Sequence, residues 1–265
     1  MHICLKSAAI VCALACPSAL SIGAISDFWV SDISGGIYEV DGETFEATYV
    51  RSISSMPLSM SMLYQGGDTL LVNDTQRLFT IDLSDGSESD VVSSTDLGDG
   101  LHGIFGLADA GEGEVFFMLQ RLPTAFSSNS GVVYDLSDGS GEFVEFGGVP
   151  DFYTDFLLIG DNRFFGVTGQ GRSYIVDLGA ATVQQVQFDV ANQLVTMFED
   201  GGDRYGIDTQ GRIFEMDLDA LSLAQVGAID FDIQPNGGVI GSAVPAPSAM
   251  VLLGLGGLVG VRRRR

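Results

Sequence analysis

The chain has 265 residues, 35 of them Asp or Glu against 12 Lys or Arg, and a formal charge of −23 at pH 7. Between residues 25 and 243 the imbalance sharpens to seven arginines, no lysine and all 35 carboxylates, a formal charge of −28. Such a surface excludes nucleic-acid binding, which would press two polyanions together instead of releasing counterions, and it disfavours anionic lipid; it suits solubility, divalent cations and salty water, where repulsion is screened.

At the N-terminus, Met1 to Lys6 gives a short positive start, Ser7 to Leu14 is apolar, and small residues follow up to Ala24. This reads as a secretory signal peptide over residues 1–24, cleaved after Ala24, with Ile22 and Ala24 in the two selective positions. The alternative, a lipoprotein anchor at Cys16, lacks the Leu expected three residues earlier and is followed at once by Pro17. All three cysteines (Cys4, Cys12, Cys16) fall inside the signal, so the mature chain has none. An exported protein without disulfides depends on the size of its core, and residues 25–243 are enough for one sizeable domain.

That body repeats. Five short alternating strands end in Asp: Tyr38-Glu-Val-Asp41, Phe79-Thr-Ile-Asp82, Val132-Val-Tyr-Asp135, Tyr174-Ile-Val-Asp177 and Phe214-Glu-Met-Asp217. Successive Asp residues lie 41, 53, 42 and 40 apart, and the long interval contains a Pro/Ser/Asn-rich insertion from Arg121 to Ser130. Leu71 to Arg77, Phe165 to Arg172 and Tyr205 to Arg212 repeat one hairpin upstream of the Asp unit, and a further strand follows an Asp/Gly/Ser turn downstream of it. An earlier strand opens each later repeat: Met60 to Tyr64, Gly103 to Ala108, Phe156 to Ile159 and Leu194 to Phe198.

Four strands per roughly 41 residues, with polar turns and no helical period, is the layout of a β-propeller blade. The expectation is an all-β chain forming a five-bladed propeller over 25–243, with a β-sandwich as the alternative. The first repeat begins at Phe28-Trp-Val30 one strand short, and Ile233 to Ala243 is free to supply the missing strand and staple the first blade to the last.

Catalytic groups are sparse. The mature chain has one histidine, His102, read as a residue entering the innermost strand of the third blade, and neither a Cys nucleophile nor a His-rich metal site can be built. No Gly-x-Ser-x-Gly elbow supports a serine triad. Gly169-Gln-Gly171 falls in a hairpin turn and carries no nucleotide signal. Carboxylates cluster around tight turns at Asp82 to Asp90, Asp135 to Gly141 and Glu199 to Asp203. Hard oxygen donors there could coordinate calcium, but side-chain capping of the turn is the simpler reading. The expectation is therefore no catalytic residue, no metal site and no cofactor, with calcium the weak exception.

The C-terminal 22 residues form three parts in fixed order: Val244-Pro245-Ala246-Pro247-Ser248, an uncharged apolar segment from Ala249 to Val261, and Arg262-Arg263-Arg264-Arg265. The prolines favour an extended segment and hold a helix start downstream. As a helix, residues 249–261 reach roughly 20 Å, short of the usual bilayer core, and the arginines resist transfer and stay cytoplasmic. This tail resembles the PEP-CTERM sorting signal, in which a Val-Pro-Glu-Pro-Ser-like motif precedes a short hydrophobic span and an Arg-rich end. Val244, Pro245, Pro247 and Ser248 match the motif, and Ala246 stands where the family's Glu does. The resemblance covers residues 244–265 alone. It implies handling by a membrane-embedded exosortase, transient membrane insertion by the C-terminal helix with inner-membrane anchoring, and delivery to the cell surface, outer envelope or extracellular matrix. An ordinary membrane anchor with a basic stop is the alternative.

Together these features predict an exported, exosortase-processed structural or interaction protein that is not an enzyme, with extracellular polysaccharide as a candidate partner. Two alternatives stand beside it. One is a calcium- or carbohydrate-binding propeller, for which Trp29 and Tyr153 are read as exposed aromatics. The other is a lactonase-like hydrolase using carboxylates and Asn around the central tunnel.

Overall fold

Each Asp-ended repeat encodes a turn, and the turns set the strand spacing. Asp41, Asp82, Asp135, Asp177 and Asp217 each begin a five-residue connection whose last residue is left-handed: Phe45 (φ 60), Gly86 (φ 81), Gly139 (φ 75), Ala181 (φ 50) and Leu221 (φ 51). The side chain of each Asp caps its own turn. Asp82 Oδ1 accepts from Ser84 N (2.7 Å) and Ser84 Oγ (2.5 Å), Asp135 Oδ1 from Ser137 N (2.7 Å) and Ser137 Oγ (2.6 Å), and Asp217 Oδ1 from Ala220 N (2.8 Å). This is local turn chemistry of the kind Asp supplies best.

The computed structural model describes residues 25–32, 34–54, 61–98, 102–121, 129–147, 152–189, 194–229 and 243–245. The signal peptide with Ala24, most of the insertion, and residues 246–265 lie outside them. Within the described residues the strands form five four-stranded antiparallel sheets. The first blade holds β1 (Phe28–Ser31), β2 (Gly36–Val40) and β3 (Ala47–Ser52), and the second β4 (Ser61–Gly66), β5 (Thr69–Asn73), β6 (Arg77–Asp82) and β7 (Glu88–Ser93). A four-residue helix, α1 (Ser94–Leu97), follows, closed by a reciprocal cap between Ser93 and Asp96. The third blade is β8 (His102–Gly111), β9 (Glu114–Arg121), β10 (Asn129–Asp135) and β11 (Gly141–Phe146). The fourth is β12 (Tyr153–Gly160), β13 (Arg163–Thr168), β14 (Ser173–Asp177) and β15 (Thr182–Val186), and the fifth is β16 (Leu194–Asp200), β17 (Asp203–Asp208), β18 (Arg212–Asp217) and β19 (Ser222–Ala228).

Period-two alternation explains how the blades pack. Val115, Phe117 and Leu119 of β9 face the second blade, where they join Leu71 and Leu78, while Phe116 and Met118 face the fourth and join Phe156 and Phe164. β9 is apolar on both faces because both faces meet a neighbouring sheet. Five such inter-blade cores run round the molecule, and the last joins Val195, Phe198 and Ile207 of the fifth blade to Phe28, Val30 and Val40 of the first. That core closes the ring. The five-bladed propeller expected from the repeats is the fold.

The missing strand of the first blade is β20 (Ala243–Pro245), which pairs antiparallel with β1 in the register Phe28↔Pro245, Trp29↔Val244 and Val30↔Ala243. The closing strand therefore starts at the last residue of the expected segment and takes in the first two residues of the tail motif; 230–242 lie outside the described residues.

One expectation is corrected. The reading of the tail as a transmembrane segment, with transient membrane insertion and inner-membrane anchoring, finds no counterpart: among the described residues no helix is long and apolar enough to cross a membrane. Their one helix is α1, about 6 Å long, against the roughly 30 Å of a bilayer core. Residues 249–261 and Arg262 to Arg265 lie outside the described residues, and as a helix the former fall short of that thickness by their own length.

Candidate functional site

The inner strands β4, β8, β12 and β16 run side by side along the axis, and their two ends have different chemistry. Toward one end Ser61 of β4, Thr154 and Asp155 of β12 and Thr196 of β16 are polar and buried. Ser61 Oγ donates to the carbonyl of Thr154 (2.5 Å), so the second and fourth blades touch across the axis. Thr154 Oγ1 donates to the carbonyl of Val195 (2.7 Å), joining the fourth blade to the fifth. Asn73 accepts from Ser61 N (2.7 Å) and donates to the carbonyl of Gly106 (3.2 Å), tying the second blade to the third. Gln120 Oε1 accepts from Tyr153 N (2.8 Å). Asp155, 1 % exposed, accepts from Thr196 Oγ1 (2.8 Å), Met197 N (2.9 Å) and Phe156 N (3.0 Å). Small polar side chains at these positions let inner strands approach closely while their backbone groups stay satisfied. The result is a floor across the channel.

Above this floor the inner strands diverge into a cup of about 1180 Å³. Half-buried Leu63, Tyr64, Leu157 and Ile159 stand in its walls. Its rim is formed by the β8–β9, β12–β13 and β16–β17 hairpins and carries exposed Asp109, Glu112, Asp161 and Glu199. Arg204 is the one basic residue in the lining and leans on Glu199 (3.4 Å). Left-handed Glu112 (φ 55) and Asn162 (φ 55) make two of these hairpins tight, which fixes their side chains over the mouth.

The sequence-predicted residues fall elsewhere. Val244 and Pro245 sit in β20, while Ala246, Pro247, Ser248 and Ala24 lie outside the described residues. His102 is the first residue of β8, as expected, opposite Arg121. The two aromatics read as exposed are not: Trp29 is 6 % exposed, against Tyr64 in the first–second blade core, and Tyr153 is fully buried beside Phe156. Each belongs to an inner blade face, where both sides of the sheet are covered.

The acidic turns act on themselves. Asp82 and Asp135 are held below the usual carboxylate range, first by the hydroxyls of Ser84 and Ser137 and then by the backbone N–H groups of the same residues. Asp85 and Asp138 accept from Ser87 N and Ser140 N, both at 2.8 Å. Among the described residues no three of His, Cys, Asp and Glu come together in a way that could hold a metal ion. The channel carboxylate and amide, Asp155 and Asn73, both bind backbone groups of the neighbouring blade.

The cup escaped sequence reading because four blades supply it from positions far apart in the chain. One signal was available in β12, Tyr153-Thr-Asp-Phe-Leu-Leu-Ile-Gly160, where polar Thr154 and Asp155 give way to larger apolar residues and then a glycine turn.

No protein-family description matches the chain, and no curated protein matches it. Solved structures do. A chain of a nidogen/laminin complex is 9 % identical, with 84 % of this chain and 99 % of that one covered at a TM-score of 0.48. A protein of unknown function from Bacteroides caccae is 11 % identical, with 79 % and 75 % covered at 0.50. A luciferin-regenerating enzyme is 12 % identical, with 77 % and 76 % covered at 0.48. What is shared is the fold alone. At such identities propellers of unrelated activity superpose, and function has to be argued from the cup.

Proposed function

We propose that this is an exported protein of the cell surface or extracellular matrix whose propeller is an interaction module, with the axial cup as its binding face. The observation that carries the binding assignment is the cup itself: an open concavity with half-buried apolar side chains in its walls, a rigid floor and charged side chains displayed on tight hairpins. The floor groups hold blades together, which favours recognition over bond-making chemistry. Four carboxylates at the rim repel polyanions, so the ligand chemistry favoured is an uncharged or cationic polymer with apolar faces, such as a neutral stretch of matrix polysaccharide. Tyr64, backed by Trp29 at 5.6 Å, offers a ring in the wall against which a sugar can lie.

Export rests on the N-terminal signal, and processing at Val244 to Ser248 rests on the resemblance of the tail. Titrating the purified protein with uncharged polysaccharide from the producing cells tests the binding assignment. Binding is expected, and Leu157→Arg, which fills the cup, should remove it while far-ultraviolet circular dichroism stays unchanged. Equal binding by that variant would place the ligand elsewhere. Mass spectrometry of the C-terminus from native cells tests the processing, and an intact Arg262 to Arg265 would refute it.

A further inference from the structure

Each blade ends in an outer strand, β3, β7, β11, β15 or β19, whose far side has no strand beside it among the described residues. Such an edge invites another strand, and proteins blunt it with a charge, a proline or a bulge. Three of the five are bulged: an extra residue, Val50, Val91 or Val226, interrupts the register of β3 with β2, of β7 with β6 and of β19 with β18. β11 pairs regularly with β10 but presents exposed Glu142 and Glu145. β15 has none of these devices. It pairs with β14 without a break from Asp177↔Thr182 to Ser173↔Val186, and Leu178 to Phe188 contains no charged residue and no proline. Val183 packs on the core between the third and fourth blades and Val186 on that between the fourth and fifth, which holds the strand from both faces. Thr182, Gln184 and Gln185 are exposed.

A domain of formal charge −28 meets its own copy best where charge is absent, and among these outer edges β15 is the one both regular and uncharged. We propose that two copies of this chain pair through β15, antiparallel and about a two-fold axis at Gln184, the middle residue of the strand. In that register Gln184 faces Gln184, Val183 faces Gln185 and Thr182 faces Val186, so every residue of β15 pairs and no carboxylate of the strand meets another. The N–H of Leu178 bonds the carbonyl of Asn162 on the β13 side, so by alternation Val183 and Gln185 turn their N–H and C=O groups away from β14. Those groups supply about four main-chain hydrogen bonds across the axis, with the two Gln184 amides bonding each other beside them. Each copy offers one such edge, so the pairing closes as a dimer instead of growing into a fibre. A contact of this size buries far less than the roughly 1,200 Å² of a stable interface, which makes the dimer weak, at roughly 10 µM to 1 mM. Salt strengthens it by screening the repulsion between two acidic bodies. With two cups in one particle, a polymer long enough to reach both gains avidity, although the pairing rests on the edge and not on what the cup binds.

Sedimentation equilibrium of the protein purified from native cells tests the pairing. Dimer is expected at the upper end of a concentration series from about 5 µM to 1 mM, and more of it as sodium chloride rises from about 0.05 to 0.5 M. Gln184→Lys sets two ammonium groups face to face on the axis and should weaken the dimer by roughly tenfold or more. It does so although it lowers the net negative charge, which by itself would favour association. Gln225→Lys makes the same charge change on bulged β19 and should leave the dimer as it was. Both side chains are exposed, and unchanged circular dichroism checks the fold. Cysteines occur in this chain only at positions 4, 12 and 16. Under oxidation Gln184→Cys is therefore expected to give a linked dimer whose disulfide maps to position 184, and Gln225→Cys is not. A protein that stays monomeric throughout the series overturns the proposal. So does a dimer that Gln184→Lys leaves intact, one that Gln225→Lys weakens equally, or assembly beyond the dimer. Should lysine at position 184 disturb the fold, the cysteine link decides, and its absence overturns the pairing.

Discussion

Phe156 shows how tightly single residues constrain this fold. A Cβ added at Gly166 would lie 2.5 Å from Phe156 Cε1 and 2.9 Å from Tyr153 Cε1, both in rings that the core does not let move. Gly166→Ala should therefore destabilise the protein by about 1–3 kcal/mol in denaturant titration, the usual range for overpacking. The turn carboxylates set the acid limit. Asp41 is lowered chiefly by Thr44 N–H, Asp82 by the Ser84 hydroxyl, Asp96 by the Ser93 hydroxyl and Asp135 by the Ser137 hydroxyl. Groups with depressed pKa values contribute stability that is complete above their unfolded value and lost as pH falls through the folded one. Stability should thus decline below about pH 4, and Asp82→Asn with Asp135→Asn should flatten that decline. Tyr38 sets the opposite limit. Burial, and then its hydrogen bond to Asp32, push its pKa up to about 12, so its contribution is whole below the ordinary tyrosine value of about 10 and fades as pH rises through 12. Unfolding midpoints measured from pH 3 to 12 should trace a plateau between these limits.

Strands and turns were the most legible level. The Asp-ended repeat could be read because its cause is local: each Asp caps the turn that follows it, within four residues. What stayed hidden is set by neighbours distant in sequence. Trp29 and Tyr153 look like surface aromatics until the adjacent blade covers them, and Val244 and Pro245, read as the start of the tail motif, belong to the strand that completes the first blade. The five turns also differ in a way that can be tested. Gly86 and Gly139 occupy the left-handed position freely, whereas Ala181 (φ 50) and Leu221 (φ 51) hold the same conformation with a side chain. Such residues are strained by about 1–2 kcal/mol. Ala181→Gly should raise stability by up to about 1 kcal/mol, and Gly139→Ala should lower it by a similar amount, both read from chemical unfolding.

For the whole molecule, charge works against compactness. A domain with 35 carboxylates and seven arginines repels itself, and added salt screens the repulsion. The melting temperature should rise by several degrees between low salt and about 0.5 M sodium chloride, a trend that differential scanning calorimetry would measure directly. A flat or falling response would mean that ion pairs, such as that of Arg77 with Asp74 and Glu88, outweigh the general repulsion. Sequence reading anticipated the number of blades because the repeats counted themselves. It could not anticipate the cup, whose floor depends on Ser61 meeting Thr154 across the axis, a contact between residues 93 apart.

The pairing of β1 with β20 has a consequence in time. A ribosome makes Phe28 before Pro245 with four blades between them, so the first blade stands incomplete while the others are made. Blades two to five can form from neighbouring segments, but the last docking event brings together the most distant residues of the domain. Closing so long a loop is slow compared with forming any hairpin. Refolding should accordingly show early sheet formation followed by a later phase in which Trp29 fluorescence changes, as the single tryptophan senses its own strand being covered. A blade whose first strand must wait for β20 keeps one seam of the ring open until the other four blades have formed.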